Sequence, residues 1–387
     1  MIEEIKKLSD VFFDDIVSIR RHLHMNPELS FEEFETSKYI KKLLSSWDIE
    51  YIDGYAKTGI LAVIKGESPL SKVISIRADF DALPINEEND VDYRSKKKDV
   101  MHACGHDAHT ACLLGAIKIL NATKNSWKGT IKFIFQPAEE RLPGGANQMI
   151  KEGVLENPKV QNVIAQHVLP ELEVGKVGFR CGTYMASTDE IYINICGVGG
   201  HAAIPEKYNN PIIASSDLIL KLNDFFYDKD DVIFAIGYVN ANGSTNVIPN
   251  NVNLMGTFRA LDENFRIKSH NNIKKIVNEV CEKYNAEIDL EIRKGYPALH
   301  NDKEFTKKQI YNAKKYLGQE NVVELPIRMT AEDFSYFSNA LPSCFYRLGT
   351  GNKKRGIIHG LHTSKFDIDE KSLKIGMGMM AYLAINS

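Results

Sequence analysis

What most restricts the fold of this chain is a change of rhythm near residue 186. Before it, β-rich runs and helical patterns alternate: Gly59–Ile64 and Val73–Arg77 read as strands, Thr110–Leu120 as a helix, Gly129–Phe135 as a strand, Gly145–Glu152 as a helix and Val163–His167 as a strand. Such alternation builds a layered α/β/α domain whose functional residues sit at strand ends. From 186 to 296 the order becomes strand Glu190–Cys196, helix Pro211–Phe226, strands Val232–Val239 and Asn251–Ala260, helix Glu263–Tyr284 and strand Glu287–Arg293. This β-α-β-β-α-β succession is complete in itself and predicts a ferredoxin-like α+β satellite. Helix Lys303–Leu317, strand Phe345–Leu348 and helix Ser372–Ile385 then resume the earlier pattern. The simplest account is an α/β domain made of residues 1–185 and 297–387, with 186–296 inserted into it.

At 387 residues the chain can bury a large core, and length favours two domains over one. Apolar residues recur at helical spacing from Ile5 to Trp47 with a break at Asn26-Pro27, which predicts two helices. The net charge of -3 gives no reason to expect nucleic acid or an anionic membrane as partner, and Lys96-Lys97-Lys98 reads as a solvated loop. The start lacks the apolar core of a secretory signal, and no run approaches a membrane span, so a cytoplasmic protein is expected. Cysteines 104, 112, 181, 196, 281 and 344 form no disulfide framework; reduced thiols are expected, with Cys112 and Cys281 in helical core patterns.

Two segments carry chemistry. Met101-His-Ala-Cys-Gly-His-Asp-Ala-His109 packs a thiol, three imidazoles and a carboxylate together, and Cys104-x-His106 is a usable metal chelate in a loop that Gly105 lets turn. The strand ending at Phe135 leads through Gln136-Pro137-Ala138 to Glu139 and Glu140, which point in different directions. One carboxylate can then hold a metal while its neighbour moves protons, the division of labour that metal-assisted hydrolysis needs. His167 and His362 are further candidates, although a lone strand-end or loop histidine has no pattern that makes it a ligand. A thiol hydrolase with Cys104 as nucleophile and His106 as base is an alternative. Two residues apart, that pair is expected to make poor mutual contact, and the reading leaves Glu139 and Glu140 idle. A non-catalytic metal-binding protein is a third reading, against which Glu139 argues.

The ordered set Arg77-Ala-Asp79-Phe-Asp81-Ala-Leu-Pro84, Met101 to His109, Phe135-Gln-Pro-Ala-Glu-Glu140, Gly197-Val-Gly-Gly-His201, Ala331-Glu-Asp-Phe334 and Leu361-His362 resembles the M20 metallopeptidase family. Within it the set resembles the amidohydrolase branch of aminoacylases, hippurate hydrolases, auxin-conjugate hydrolases and certain carboxypeptidases. The resemblance implies a binuclear metal-dependent amidohydrolase acting on N-acyl amino acids or short peptides with a free carboxylate. Related activities it leaves open are N-acetyl-diaminopimelate deacetylation and carboxypeptidase action. It implies metal ligands Cys104, His106, Glu140, His167 and His362, with Cys104 bridging two ions and Glu139 as general base. The donor set suits zinc, with manganese, cobalt or nickel also compatible.

Asp81 and Asp79 are expected behind the ligands, where metal-bound imidazoles donate their other N–H, with turn capping as the alternative. His102 and His109 are expected to shape the loop, and His22 and His24 to be packing and surface residues. In the resembling family His201 hydrogen-bonds the developing oxyanion, often from a neighbouring subunit. Asn246 and Arg259 are polar candidates for substrate, Arg259 either gripping its carboxylate or forming an internal salt bridge. Glu332 is expected to bind the substrate's other end or support a ligand. The satellite is expected to act as a lid and to pair in a homodimer or higher homo-oligomer.

Overall fold

The computed structural model describes residues 1–387. It divides into a larger unit, residues 1–182, 300–326 and 333–387, and a smaller one, residues 183–299 and 327–332. The larger unit is mixed α/β. Its strands β1 (Glu50–Tyr55), β2 (Gly59–Lys65), β3 (Val73–Asp79), β4 (Thr130–Gln136), β5 (Asn162–Glu173) and β6 (Val177–Phe179) join Ser343–Gly351 and Val322–Glu324 in one eight-stranded sheet. Its order is β1-β2-β4-β3-β5, then Ser343–Gly351, β6 and Val322–Glu324. β4, β3, β5 and Ser343–Gly351 run parallel, while β1 and β2 add antiparallel pairs at one edge.

Every residue of β3, β4 and Ser343–Gly351 is buried, the mark of strands covered on both faces. Helix His106–Ala122 and the closing helix Lys371–Ile385 pack closely over the sheet: a Cβ at Gly115 would lie 2.7 Å from Met377 Cβ. Only glycine permits that approach.

The N-terminal region departs from expectation. Three helices form, α1 (Ile2–Val11), α2 (Phe13–Met25) and α3 (Phe34–Ser46), because the first expected helix breaks at Phe12 (φ −91°, ψ −1°). The apolar phase through Ile5, Phe12, Ile16, Ile19 and Leu23 runs unbroken across that joint, so periodicity carries no sign of it.

The smaller unit holds a four-stranded antiparallel sheet, ordered Val232–Ala241, Asn251–Ala260, Asp189–Cys196, Glu287–Lys294. Helix Pro211–Tyr227 links its first two strands in sequence and helix Glu263–Tyr284 its last two. Ile191, Ile193 and Ile195 alternate inward and meet Leu218, Leu222, Ile273 and Val277 in a separate core. No helix of the protein is long and apolar enough to cross a membrane.

Candidate metal centre

Five side chains singled out in the sequence converge within the larger unit. Helix α4 (His106–Ala122) starts four residues before the expected helix, since Gly105 takes a left-handed conformation (φ 83°) and its carbonyl already accepts the His109 N–H at 3.0 Å. His106 therefore opens a helix rather than lying in a loop, and only Cys104 precedes it there. His167 lies within β5, which runs on to Glu173, and not at its end. His167 Nδ1 donates to the Val168 carbonyl at 2.8 Å, so Nε2 is bare and stands 3.5 Å from Cys104 Sγ. His362, at φ 60°, is tied by its N–H to the Ala103 carbonyl at 2.8 Å. Its Nε2 is 3.3 Å from Cys104 Sγ and 3.3 Å from Glu140 Oε1. That same Glu140 oxygen is 3.8 Å from His106 Nε2.

The ligand atoms of Cys104, His106 and His167, of Cys104, Glu140 and His362, and of His106, Glu139 and Glu140 each lie within 4.8 Å of one another. Cys104 and His106 are thus close, contrary to the expectation of poor mutual contact, because the helix start turns His106 back toward the thiol. Burial and the Glu140 carboxylate push that thiol up, which disfavours a thiolate nucleophile. Burial and Arg347 hold His167 well below the usual imidazole range. Burial opposes charge on His106 too, yet Asp79 and Cys104 raise it well above that range. Hydrogen bonds to Cys104 and Glu140 carry His362 up to about 10.

The donor set fits divalent cations. His106 Nε2 is buried with no hydrogen-bond partner, which is costly unless an ion satisfies it, and Glu140 Oε1 faces both it and the His362 ring. Thiol, imidazole and carboxylate are the donors zinc takes.

Behind this layer Asp81 and Asp79 behave differently. Asp81 faces His106 Nδ1 through its carbonyl at 2.9 Å and Oδ1 at 3.1 Å, and its Oδ2 accepts the Ser30 hydroxyl at 2.7 Å and the Glu140 N–H at 3.0 Å. Asp79 binds Arg77 Nη1 at 2.6 Å and His109 Nδ1 at 2.6 Å. His109 accepts the Val168 N–H at 2.9 Å, so it clamps β5 to β3 from helix α4 rather than shaping a loop. His102 is buried with neither ring nitrogen hydrogen-bonded, and burial lowers it to about 4, a neutral packing residue.

Glu139 is buried, and its Oε1 accepts the Asp333 N–H at 3.4 Å. Asp333 in turn accepts from Arg77 Nη2 at 2.7 Å, Gln136 Nε2 at 2.8 Å and the Ala146 N–H at 3.0 Å. Of the neighbours Glu332 and Asp333, the sequence points to the first, while it is the second whose N–H bonds Glu139. Glu332 itself is buried. Ahead of Glu139, Ala138 sits in the left-handed region at φ 53°, where a Cβ residue is strained by about 1–2 kcal/mol.

A second buried network lies next to His106. Arg20 Nε pairs with Asp107 at 2.8 Å and Nη2 with Asp367 at 2.9 Å, while His24 bridges Asp107 at 2.7 Å and Glu87 at 3.1 Å. His24 is therefore a fully buried hydrogen-bonded residue and not a surface one, whereas His22 stacks on Tyr39 with ring centroids 3.9 Å apart.

The remaining candidates belong to the smaller unit. His201 is exposed in a two-residue strand paired with Val247, and the Ala202 N–H bonds the Asn246 carbonyl at 3.0 Å. Arg259 is half-buried; its guanidinium reaches the Met329 carbonyl at 3.4 Å and no carboxylate lies within ion-pair distance, so the internal salt bridge does not form.

A buried cluster of this chemistry on a mixed sheet, in a chain that also carries an inserted α+β unit, defines a metal-dependent hydrolase of amide bonds. Residues 75–386 match peptidase family M20/M25/M40, and the chain belongs to that family. It is 37% identical to thermostable carboxypeptidase 2 of Saccharolobus solfataricus over 100% of this chain and 98% of the relative. It is 36% identical to N-acetyl-L-cysteine deacetylase of Bacillus subtilis, over 92% of this chain and 84% of that one. The crystal structure of the Bacillus subtilis YXEP protein, a dinuclear metal-binding peptidase from the M20 family, superposes with a TM-score of 0.83 at 32% identity, covering 97% of this chain and 98% of the other.

Proposed function

We propose that this hydrolase cleaves the amide bond of N-acyl amino acids or short peptides bearing a free carboxylate, at two divalent ions held by Cys104, His106, Glu140, His167 and His362. The observation that carries the reading is the buried His106 Nε2, which has no hydrogen-bond partner and faces Glu140 Oε1 at 3.8 Å beside a thiol and a second carboxylate. Bound zinc would polarise the scissile carbonyl and lower the pKa of a water toward about 7. Glu139, oriented by the Asp333 N–H, takes the proton of the attacking water and returns it to the leaving amine. Asp81 fixes the His106 ring so that Nε2 faces the cluster. His201 is assigned to the developing oxyanion and Arg259, which has no carboxylate partner, to the substrate carboxylate; Asn246 and Glu332 are assigned to substrate contact.

Relatives that include a deacetylase and a carboxypeptidase support both acyl and peptidyl substrates. The test is metal analysis followed by a panel of acetyl, benzoyl and indoleacetyl amino acids beside dipeptides. Chelation is expected to abolish turnover and zinc or manganese to restore it. Glu139→Gln is expected to keep its metal and lose about 10²–10⁴ in kcat. Full turnover by that variant would remove Glu139 from the mechanism, and turnover that survives chelation would restore the thiol reading.

A further inference from the structure

One buried carboxylate outside the cluster bonds the backbone immediately ahead of Glu139 and Glu140. Glu33 is fully buried at the start of α3, and burial together with Asp81 pushes its pKa up to about 7. Its Oε1 accepts two backbone N–H groups at 2.9 Å each, those of Phe31 and Ala138, while Oε2 takes the Thr58 hydroxyl at 2.9 Å. Phe31 (φ 67°) and Ala138 (φ 53°) are both left-handed without being glycine. A single oxygen atom thus holds two strained residues in place, more than 100 positions apart in the chain. Ser30, beside the first, bonds the Asp81 carboxylate that orients His106, and Ala138 immediately precedes Glu139. Left-handed backbone at an alanine persists only where its surroundings impose it.

We propose that Glu33 is a positioning residue, whose bond to the Ala138 N–H keeps Ala138 left-handed so that Glu139 and Glu140 leave β4 toward opposite tasks. The inference rests on the roles assigned above to those two glutamates. Glu33 itself touches neither substrate nor metal donors.

Glycine adopts this backbone unaided, which makes Ala138→Gly the discriminating partner. Zinc retention against a chromophoric chelator, thermal unfolding, and kcat and KM on an N-acetyl amino acid are measured for Glu33→Ala, Glu33→Gln, Ala138→Gly and the double variant Glu33→Ala/Ala138→Gly. Glu33→Ala is expected to weaken zinc retention and lower kcat by about 10–100-fold each, with KM within about twofold. Glu33→Gln recovers most of both, since its carbonyl oxygen still accepts the two N–H groups. In the Ala138→Gly background the Glu33→Ala loss shrinks several-fold in both readouts. Equal losses in the two backgrounds, or no loss at all, would overturn the proposal. If Glu33→Ala fails to fold, restored folding in the glycine background reads the same coupling, and failure in both backgrounds counts against it. Retained turnover in Glu139→Gln would instead sink the assignment of the base, leaving the zinc-retention coupling to be judged by itself.

Discussion

The two units bury their sheets in different ways. In the larger, β3, β4 and Ser343–Gly351 are buried at every position, so a charged side chain there has no water and must be paired inside the protein, as Arg77 is with Asp79, Gln136 and Asp333. In the smaller, Asp189–Cys196 alternates between buried and half-buried positions, and only the face beneath the two helices is dry. Its main buried ion cluster, Asp189 with Arg266 and His270, sits at a strand end. A sheet covered on both faces can hold charges to fixed geometry, which a hydrolytic centre requires. A sheet covered on one face folds well but leaves its outward positions free to vary.

Three substitutions sharpen that contrast. Asp333→Ala in the larger unit strips one partner from Arg77, Gln136 and the Ala146 N–H while its backbone N–H to Glu139 remains, and is expected to destabilise by about 3–5 kcal/mol in denaturant unfolding, with kcat falling as well. Asp189→Asn in the smaller unit should do less, about 1–3 kcal/mol, because Arg266 keeps Glu263 and the Thr188 and Gly295 carbonyls. This second loss depends on pH. Burial alone would raise Asp189, but His270 and Arg266 hold it below the ordinary value of about 3.9. Its contribution is therefore complete above that value and disappears as pH falls through the depressed one, so the wild type and Asp189→Asn should converge in stability toward strongly acidic pH. Met255→Thr, on the open face, should change the unfolding free energy by no more than about 0.5 kcal/mol. A large loss there, or a small one at Asp333, would break the contrast.

Legibility from the sequence followed the range of the forces involved. The strand-helix order of the smaller unit could be read because each strand repeats its own pattern, and the Cys104/His106 and Glu139/Glu140 pairs because their members are neighbours. His167 and His362 came into view only through the family resemblance, since neither has a local pattern. Strand β1 went unseen because it is an exposed edge strand with no apolar alternation, and β6 and Val322–Glu324 because three residues carry no period. The helix start at His106 was hidden by polar residues in its first turn. Asp333 and Glu33 owe their importance to partners 256 and 105 positions away, and no reading of neighbouring residues reaches that far.

The contact between His362 and Cys104 spans 258 positions of chain. During synthesis, four of the five proposed donors leave the ribosome with the first 167 residues, while the fifth, His362, emerges long after them. The proposed donor set is therefore complete only once the segment carrying His362 has emerged, and the helix Lys371–Ile385 that follows it also seals the hydrophobic interior. Truncation upstream of that segment would yield not a weaker enzyme but a chain lacking both its last donor and the cover of its core.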